Sequence, residues 1–169
     1  MTSPFLLSTW SFSEPILESE YPNLSAGCSA LDAVEACVRN AEQDESIDSV
    51  GFGGLPDRNG NCTFDAMVMT SPSSSGAVCG IERHLHPVSI ARLVMEKTNH
   101  TLLAGSLADD FADSHNMKSS DILADCSKQK WEHWKKTSNV TMPAPFDHGH
   151  GKLSGSHDTI GTLALDTHG

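Results

Sequence analysis

Several features that would assign this sequence to a class at once are missing. No run of apolar residues approaches the roughly 18 that a membrane span needs. The five cysteines form no CxxC pair, so the spacing of a metal site is absent. Positive charge is also scarce, since 11 lysines and arginines stand against 22 aspartates and glutamates, for a formal net charge of −11. This balance argues against nucleic acid and against an anionic membrane as partners.

The composition that remains is that of a globular chain. Its 169 residues, of which 38% are hydrophobic, are enough for one domain with a core or for one part of a larger domain. The odd number of cysteines leaves two interpretations open. They are either buried thiols, or they form one or two disulfides with a thiol left over.

Four N-glycosylation sequons occur in this short chain, which favours a secretory route. They begin at Asn23, Asn61, Asn99 and Asn139. The N-terminal region, however, offers only the apolar segment Pro4–Leu7, which is too short for the core of a signal peptide. A cytoplasmic protein and a chain whose natural N-terminus lies upstream are therefore the alternatives.

Hydrophobic periodicity predicts helices that alternate with short strands. Ser29, with Asp32 three residues later, indicates the start of one helix. Pro87 in a first helical position indicates another helix over residues 87–98. Two candidate hairpin turns, at 57–60 and 71–75, predict an antiparallel sheet rather than a βαβ array.

Three further expectations concern the local structure of short segments. The acidic segment from Glu14 to Pro22 contains two prolines, so it is expected to form a loop or a short irregular helix. Residues 101–105 are expected to form a brief buried strand. After that strand, Ser106 is expected to cap a helix that carries Leu107 and Phe111 on one face.

The C-terminal part of the chain is less regular. Residues 139–156 have no periodicity and are expected to be a flexible surface linker. An alternating strand is predicted from Thr159 onwards, and Asp166–Gly169 has the composition of a hairpin turn. Because no second strand follows that turn, we expect the chain to be a fragment or a truncated product.

The Asp158–Thr159 pair carries the most specific chemical hypothesis. A threonine hydroxyl is a poor nucleophile unless a base lies beside it, and an N-terminal threonine supplies that base through its own α-amino group. Cleavage of the Asp158–Thr159 bond would create such a residue. The alternative for this pair is a polar residue that caps the start of a strand.

The sequence resembles the glycosylasparaginases, which belong to the threonine-type asparaginases among the N-terminal-nucleophile hydrolases. The resemblance covers nearly all of the chain, and its matching segments occur in the family's order. These segments are Ser8–Phe12, Ala30–Glu35, Ser49–Asp57, Asp65–Met69, Gly76–Val78, Pro87–Thr98, Thr101–Gly105 and His157–Gly161.

This resemblance implies a fold, a domain division and a substrate. The fold would be α/β (α+β), as part of a four-layer αββα sandwich with two stacked antiparallel sheets between helices. Residues 1–158 would form the α-subunit region and residues 159–169 the start of a β-subunit. The two subunits of one precursor would pair as a heterodimer and then as a dimer of heterodimers. The implied substrate is glycoasparagine, and the implied compartment is the lysosome. Neither a cofactor nor a metal is implied.

The resemblance also implies roles for individual residues. Thr159 would be the nucleophile, first toward the carbonyl of Asp158 and then toward the side-chain amide of the substrate, while the Asp158 carboxylate assists the first step. Ser49 would help to place the nucleophilic hydroxyl, and Trp10 would line the substrate pocket. Taken without the family, Ser49 reads as a cap and Trp10 as a core aromatic. The glycines of the segment 51–54 would serve the backbone.

The sequence also departs from the family's pattern. Ser19–Pro22 replaces an aliphatic and aromatic helix, and Thr70-Ser71 stands where an acidic residue and glycine are usual. The family's second active-site threonine, its substrate-gripping Arg and Asp, and its oxyanion hole lie beyond Gly169. An oxyanion hole often lowers a barrier by about 3 kcal/mol or more. We therefore expect this chain alone neither to cleave itself efficiently nor to turn over substrate.

Other functions remain open on the sequence. One is an L-asparaginase or isoaspartyl peptidase of the same superfamily. Another is a non-catalytic truncated product that binds a partner or misfolds through an unpaired strand. A metal site built from Asp147, His148, His150 and His157 is conceivable by residue type, but these residues lie in a Gly-rich segment without fixed ligand geometry.

Overall fold

A computed structural model of the chain describes residues 2–137 and 159–169. The expected linker 139–156, the predicted scissile residue Asp158 and the histidine-rich segment around His148 lie outside these residues. The described strands are β1 (Phe5–Ser8), β2 (Phe64–Ser71), β3 (Ser74–Ile81), β4 (Leu102–Ala104) and β5 (Thr162–Leu165). The α-helices are α1 (Glu14–Ser25), α2 (Ala30–Gln43), α3 (Pro87–Lys97), α4 (Ser106–Ser114) and α5 (Asp125–Thr137), with 3₁₀ turns at Ser11–Ser13 and Gly51–Gly53. The α/β class is confirmed.

The strands form two sheets. In the first sheet β1 pairs antiparallel with β5, and in the second the strand order is β2-β3-β4. Strand β3 is antiparallel to β2 but parallel to β4, because α3 carries the chain back across the sheet before β4 begins. The expectation of hairpins without a βαβ unit is therefore wrong at β3-α3-β4.

The core lies between the second sheet and the helices that cover it. Alternation in β2 buries Phe64 and Val68, as predicted, and α3 presents a fully buried stripe to them. Pro87 begins α3 and Ser29 caps α2 by accepting the N–H of Asp32, so both predicted helix starts are confirmed. The buried cluster consists of Phe64, Val68, Val78, Ile81, Ile90, Ala91, Val94, Ala108, Ala112 and Ile122.

The segment after the first bend is a helix of 12 residues, so of the two expectations for 14–22 the loop is wrong, and the helix is longer than expected. Pro15 lies in the first turn of α1, where the missing N–H has no partner to lose. Pro22 lies near the C-terminal end of the helix, so its missing N–H affects only the last turn. Leu24 is fully buried and anchors this end of α1 on the body of the protein.

The expectations for β4 and α4 are also corrected. Strand β4 is not buried, since Leu102 is 54% exposed. The residue before α4 is Gly105, which has no side chain to cap the helix, and Ser106 is already helical. Leu107 is 73% exposed. The buried face of α4 is formed by Ala108, Asp109 and Ala112, and of the predicted pair only Phe111 packs against the core.

Each sheet leaves one face with large apolar side chains exposed. In the first sheet Phe5 pairs with Leu165 and Leu7 pairs with Leu163, and Phe5 and Leu7 are each 50% exposed. In the second sheet the exposed set is Met67, Met69 and Leu102. The first sheet contacts α1 and α2, and the second sheet contacts α3 and α4. Within residues 2–137 and 159–169, no helix has the length and apolar character to cross a bilayer.

The five cysteines are all free thiols, which answers the question that their odd number left open. Cys37 is buried on the inner face of α2. Burial is the main cause that raises the pKa of the Cys37 thiol to about 11, with the nearby Glu20 carboxylate adding to it. Cys37 therefore behaves as a small core residue rather than as a reactive group.

Candidate active site

The chain bends sharply at the end of β1, and this bend places the indole ring of Trp10. Trp10 has φ 69°, a backbone angle that is uncommon outside glycine. The buried hydroxyl of Ser13 reaches the carbonyl oxygens of Trp10 (2.7 Å) and Thr9 (3.0 Å) and so stabilises the bend from inside. Trp10 is 47% exposed, so the alternative of a core aromatic is wrong.

The same bend holds the residues that lead into β5. The indole N–H of Trp10 donates to the carbonyl oxygen of Thr159 at 2.6 Å, although 149 positions separate the two residues. Thr9 contacts Gly161 twice: its N–H donates to the Gly161 carbonyl, and its hydroxyl accepts the Gly161 N–H, both at 2.9 Å. The Ser8 hydroxyl donates to the same Gly161 carbonyl at 3.1 Å. The predicted nucleophile therefore lies beside the predicted pocket aromatic.

The loop that carries Ser49 is held tightly against α2. Gly51 has φ 61°, and a β-carbon at this position would lie 2.1 Å from the carbonyl oxygen of Glu42. Only glycine fits there, which confirms the backbone role predicted for this glycine. Ser49 is half-buried, and the N-cap of the following 3₁₀ turn is Val50, without a side-chain hydrogen bond. The alternative of Ser49 as a cap of that turn is therefore wrong.

A cleft of about 880 Å³ is lined by β5, β2 and α2. Both Thr159 and Ser49 contribute to its lining, and one face of α2 supplies Leu31, Val34 and Val38. Its lining also includes Met67, Met69, Leu163 and Leu165, so the cleft opens onto the exposed apolar faces of both sheets.

Glu42 places a buried carboxylate at the edge of this cleft. It is 2% exposed, accepts the backbone N–H of Val88 at 3.0 Å, and faces Nδ1 of His86 at 3.2 Å. Burial raises the pKa of the Glu42 carboxyl, while the hydrogen bonds from His86 and Val88 act in the opposite direction. Glu42 thus links α2, the start of α3 and, through its backbone, the loop at Gly51.

The structure brings three of the four predicted site residues to one region. Trp10 contacts Thr159 directly, and Ser49 lines the cleft that Thr159 also lines. The hydrogen bonds between described residues include none between Ser49 and Thr159. Asp158 lies outside the described residues, so its predicted role stays a prediction.

Sequence reasoning missed Thr9 and Glu42. A signal for Glu42 was present, because it continues the spacing of Leu31, Val34 and Val38 and thus ends an apolar stripe with a carboxylate. Thr9 had no comparable signal, since a threonine at the end of a strand is ordinary. Within 2–137 and 159–169, no group of three or more His, Cys, Asp or Glu side chains could hold a metal ion.

A family model described as asparaginase matches residues 8–169, which is nearly the whole chain. The chain belongs to the asparaginase family. The matched range contains both ends of the site, from the bend at Trp10 to the strand that follows Thr159.

Relatives of the chain share one more specific name within the asparaginase family. The chain is 41% identical to the N(4)-(beta-N-acetylglucosaminyl)-L-asparaginase of Elizabethkingia miricola, over 98% of this chain and 46% of the relative. It is 34% identical to the enzyme of the same name from Mus musculus, over 96% of this chain and 54% of the relative. The corresponding Rattus norvegicus protein is 39% identical over 78% of this chain and 38% of the relative. The chain thus spans about half the length of the curated relatives it matches.

Proposed function

We propose that the full-length protein hydrolyses the amide that joins N-acetylglucosamine to asparagine. The observation that carries this proposal is the 2.6 Å hydrogen bond from Trp10 to Thr159, at a cleft that Ser49 also lines. The names of the relatives from Elizabethkingia miricola and Mus musculus support the choice of substrate. A threonine at this position of an asparaginase-family chain would supply the nucleophile that acyl transfer requires.

The first step of the proposed mechanism is self-cleavage. The Thr159 hydroxyl attacks the carbonyl carbon of Asp158, and its proton passes to the departing amide nitrogen, so that an ester replaces the peptide bond. Water then hydrolyses the ester, which leaves a carboxylate on Asp158 and a free α-amine on Thr159. The Asp158 carboxylate side chain assists the first proton transfer.

The second step uses the α-amine that self-cleavage creates. The amine takes the proton of the Thr159 hydroxyl while the oxygen attacks the side-chain amide of glycoasparagine. The glycosylamine leaves with that proton, and water hydrolyses the aspartyl ester on Thr159 to release aspartate. Ser49 helps to orient the Thr159 hydroxyl, and Trp10 forms part of the substrate pocket.

The proposed architecture is a four-layer αββα sandwich to which residues 1–158 contribute the α-subunit and residues from 159 onwards the β-subunit. Two observations support it: the exposed apolar face of each sheet, and the length of the relatives, about twice that of this chain. In this sandwich the apolar face of each sheet packs against the opposite sheet of the completed precursor. The heterodimer, and the pairing of two heterodimers, belong to this proposal, and so does the inactivity of residues 1–169 alone.

A secretory or lysosomal route is also part of the proposal. Its support is the exposure of three sequon asparagines, Asn23, Asn61 and Asn99, on the surface of the described structure. Asn139 lies outside the described residues. Enzymes that degrade glycoproteins and carry N-glycans themselves would share one compartment with their substrates.

The test uses the full-length precursor that contains this chain. N-terminal sequencing of the C-terminal product is expected to begin at Thr159, and Thr159→Ala is expected to stay uncut, whereas Thr159→Ser keeps a hydroxyl and is cut. The processed protein is then assayed with glycoasparagine, asparagine and an isoaspartyl dipeptide. A higher kcat/KM on asparagine or the dipeptide would assign the asparaginase or isoaspartyl peptidase activity instead. An uncut wild-type precursor would overturn the proposal.

A further inference from the structure

The antiparallel pairing of β1 with β5 ends in an unusual way at Thr9. The register pairs Leu7 with Leu163 and Ser8 with Thr162, so Thr9 stands opposite Gly161. In a hydrogen-bonded antiparallel pair, each backbone N–H donates to the carbonyl of the opposite residue. Thr9 gives its N–H to the Gly161 carbonyl, but the Gly161 N–H donates to the side-chain hydroxyl of Thr9 instead of to its carbonyl.

The Thr9 carbonyl is directed elsewhere because the chain turns at Trp10. That carbonyl accepts from the hydroxyl of the buried Ser13 at 3.0 Å, and Trp10 takes up φ 69°. The Thr9 side chain therefore replaces a backbone acceptor at the point where β1 leaves the sheet. One residue thereby fixes both the N–H and the carbonyl of Gly161.

This pair of contacts has a consequence for Thr159, which lies two residues before Gly161. Its backbone is held at one point by the indole of Trp10 and, through Gly161, at a second point by Thr9. Thr159 is exposed in this chain, so its position here depends on these backbone contacts. Two tethers restrict the residue far more than one, and the placement of a reacting atom strongly affects its rate.

We propose that Thr9 is a positioning residue for Thr159, and that its γ-oxygen rather than its shape performs this role. The inference rests on the proposed function, since it takes Thr159 as the nucleophile. Thr9 does not touch the reacting atoms. It acts by holding Gly161, and thus the direction in which the chain presents the Thr159 hydroxyl to the cleft.

Two substitutions separate oxygen from shape. Thr9→Val keeps the branched side chain but replaces the acceptor by a methyl group, which removes the protein partner of the Gly161 N–H. Thr9→Ser keeps the oxygen and removes the methyl group. Both are made in the full-length precursor, and self-cleavage before Thr159 is followed with time by mass spectrometry.

We expect Thr9→Val to slow self-cleavage by about 10- to 100-fold, the loss typical of a misplaced reacting group, and Thr9→Ser to stay within about threefold of the wild type. After processing, Thr9→Val is expected to lower kcat on glycoasparagine with KM nearly unchanged, because the interaction acts on the nucleophile and not on the substrate. A thermal unfolding curve for each variant shows whether it is folded.

The outcomes separate this inference from the function on which it rests. A wild-type precursor that is not cut before Thr159 contradicts the proposed function. A cut wild type together with a folded Thr9→Val that is cut equally fast overturns the positioning role alone. Equal losses in Thr9→Val and Thr9→Ser would also overturn it, because they would show that the methyl group, not the oxygen, is required.

Discussion

The backbone of Gly51 lies so close to the end of α2 that a β-carbon there would stand 2.1 Å from the carbonyl oxygen of Glu42. This contact joins the loop that carries Ser49 to the helix that forms one wall of the cleft. Gly51 also has φ 61°, an angle that strains any residue with a side chain. The position of Ser49 therefore depends on the absence of a side chain two residues later.

Gly51→Ala is expected to reduce both stability and activity. Gly80 offers the matched control, because it has φ 68° but its β-carbon would meet no atom closer than 3.7 Å. Gly80→Ala should lose only the strain of a left-handed angle, about 1–2 kcal/mol of the free energy of unfolding. Gly51→Ala should lose more of the free energy of unfolding, because the backbone at Glu42 must also move. Urea unfolding of the two variants measures the difference, and equal losses would show that the collision with Glu42 is relieved at no cost.

The buried Glu42 predicts a specific pH dependence of stability. Because burial raises its pKa in the folded protein, the native state holds this proton more readily than the unfolded chain does. Its ionisation therefore destabilises the fold as the pH rises from the usual carboxyl range to the raised pKa, and the loss is complete above that value. Glu42→Gln cannot ionise, so its free energy of unfolding should improve relative to the wild type as the pH rises through this window.

The measurement for Glu42 is a series of urea unfolding curves from about pH 4 to pH 8, which brackets the ordinary carboxyl pKa and the range above it. Glu45→Gln is the matched control, since it removes the same charge from an exposed position close by. A constant difference between Glu42→Gln and wild type at all pH values would show that the buried carboxyl does not titrate separately in the two states.

Asp109 is expected to be far more important for stability than its neighbour Asp110. The Asp109 carboxylate is 1% exposed, accepts the backbone N–H groups of Glu82 and Arg83, and contacts Nδ1 of His84 at 2.7 Å. Asp109→Asn places an amide N–H₂ group against one of these donors and should lower the free energy of unfolding by about 3 kcal/mol.

Asp110 provides the control for that substitution. It forms an exposed ion pair with Arg83, in which the two side chains are 61% and 46% exposed. Such pairs contribute about 0–1 kcal/mol, so Asp110→Asn should leave the unfolding temperature nearly unchanged. Thermal unfolding of both variants at one pH decides the matter, and a small loss for Asp109→Asn would mean that His84 and the backbone donors find other partners.

The exposed sequons predict that the protein carries N-glycans when it passes through a secretory pathway. Asn23, Asn61 and Asn99 are exposed, so a glycan at each position would extend into solvent. Removal of the glycans with an amidase should increase electrophoretic mobility, and each Asn→Gln substitution should abolish one step of that shift. A secreted protein whose mobility does not change on this treatment would contradict the prediction.

Local signals in the sequence predicted the elements that short-range physics determines. Ser29 and Pro87 mark helix starts because capping and the missing proline N–H act within one turn. The prolines of α1 misled the prediction, since their effect depends on where in the helix they lie. The spacing places Leu107 and Phe111 on one face of α4 but does not show which side chains pack, and of these two only Phe111 packs against the core.

The candidate site shows the same division. Its residue types pointed to Thr159, Trp10 and Ser49 through resemblance, but the contacts that hold them come from distant parts of the chain. The hydroxyl of Thr9 acts on Gly161 only because β1 and β5 pair, and no local pattern specifies that pairing. The pKa of the Glu42 carboxyl is raised because the start of α3 helps to bury it, and the periodicity of α2 alone does not reveal this burial.

The pairing of β1 with β5 also sets an order of events during synthesis. Ser8 and its partner Gly161 are 153 positions apart, so β1 leaves the ribosome long before the strand that completes its sheet exists. At the usual rates of elongation the interval is about 8–30 s. During this time the hairpin of β2 and β3 and the helix that packs on it can form from contacts close in sequence. The proposed cleavage site before Thr159 therefore joins the bend at Trp10 only when the intervening chain has been made and has folded. A cut at this bond would then mark a finished subunit.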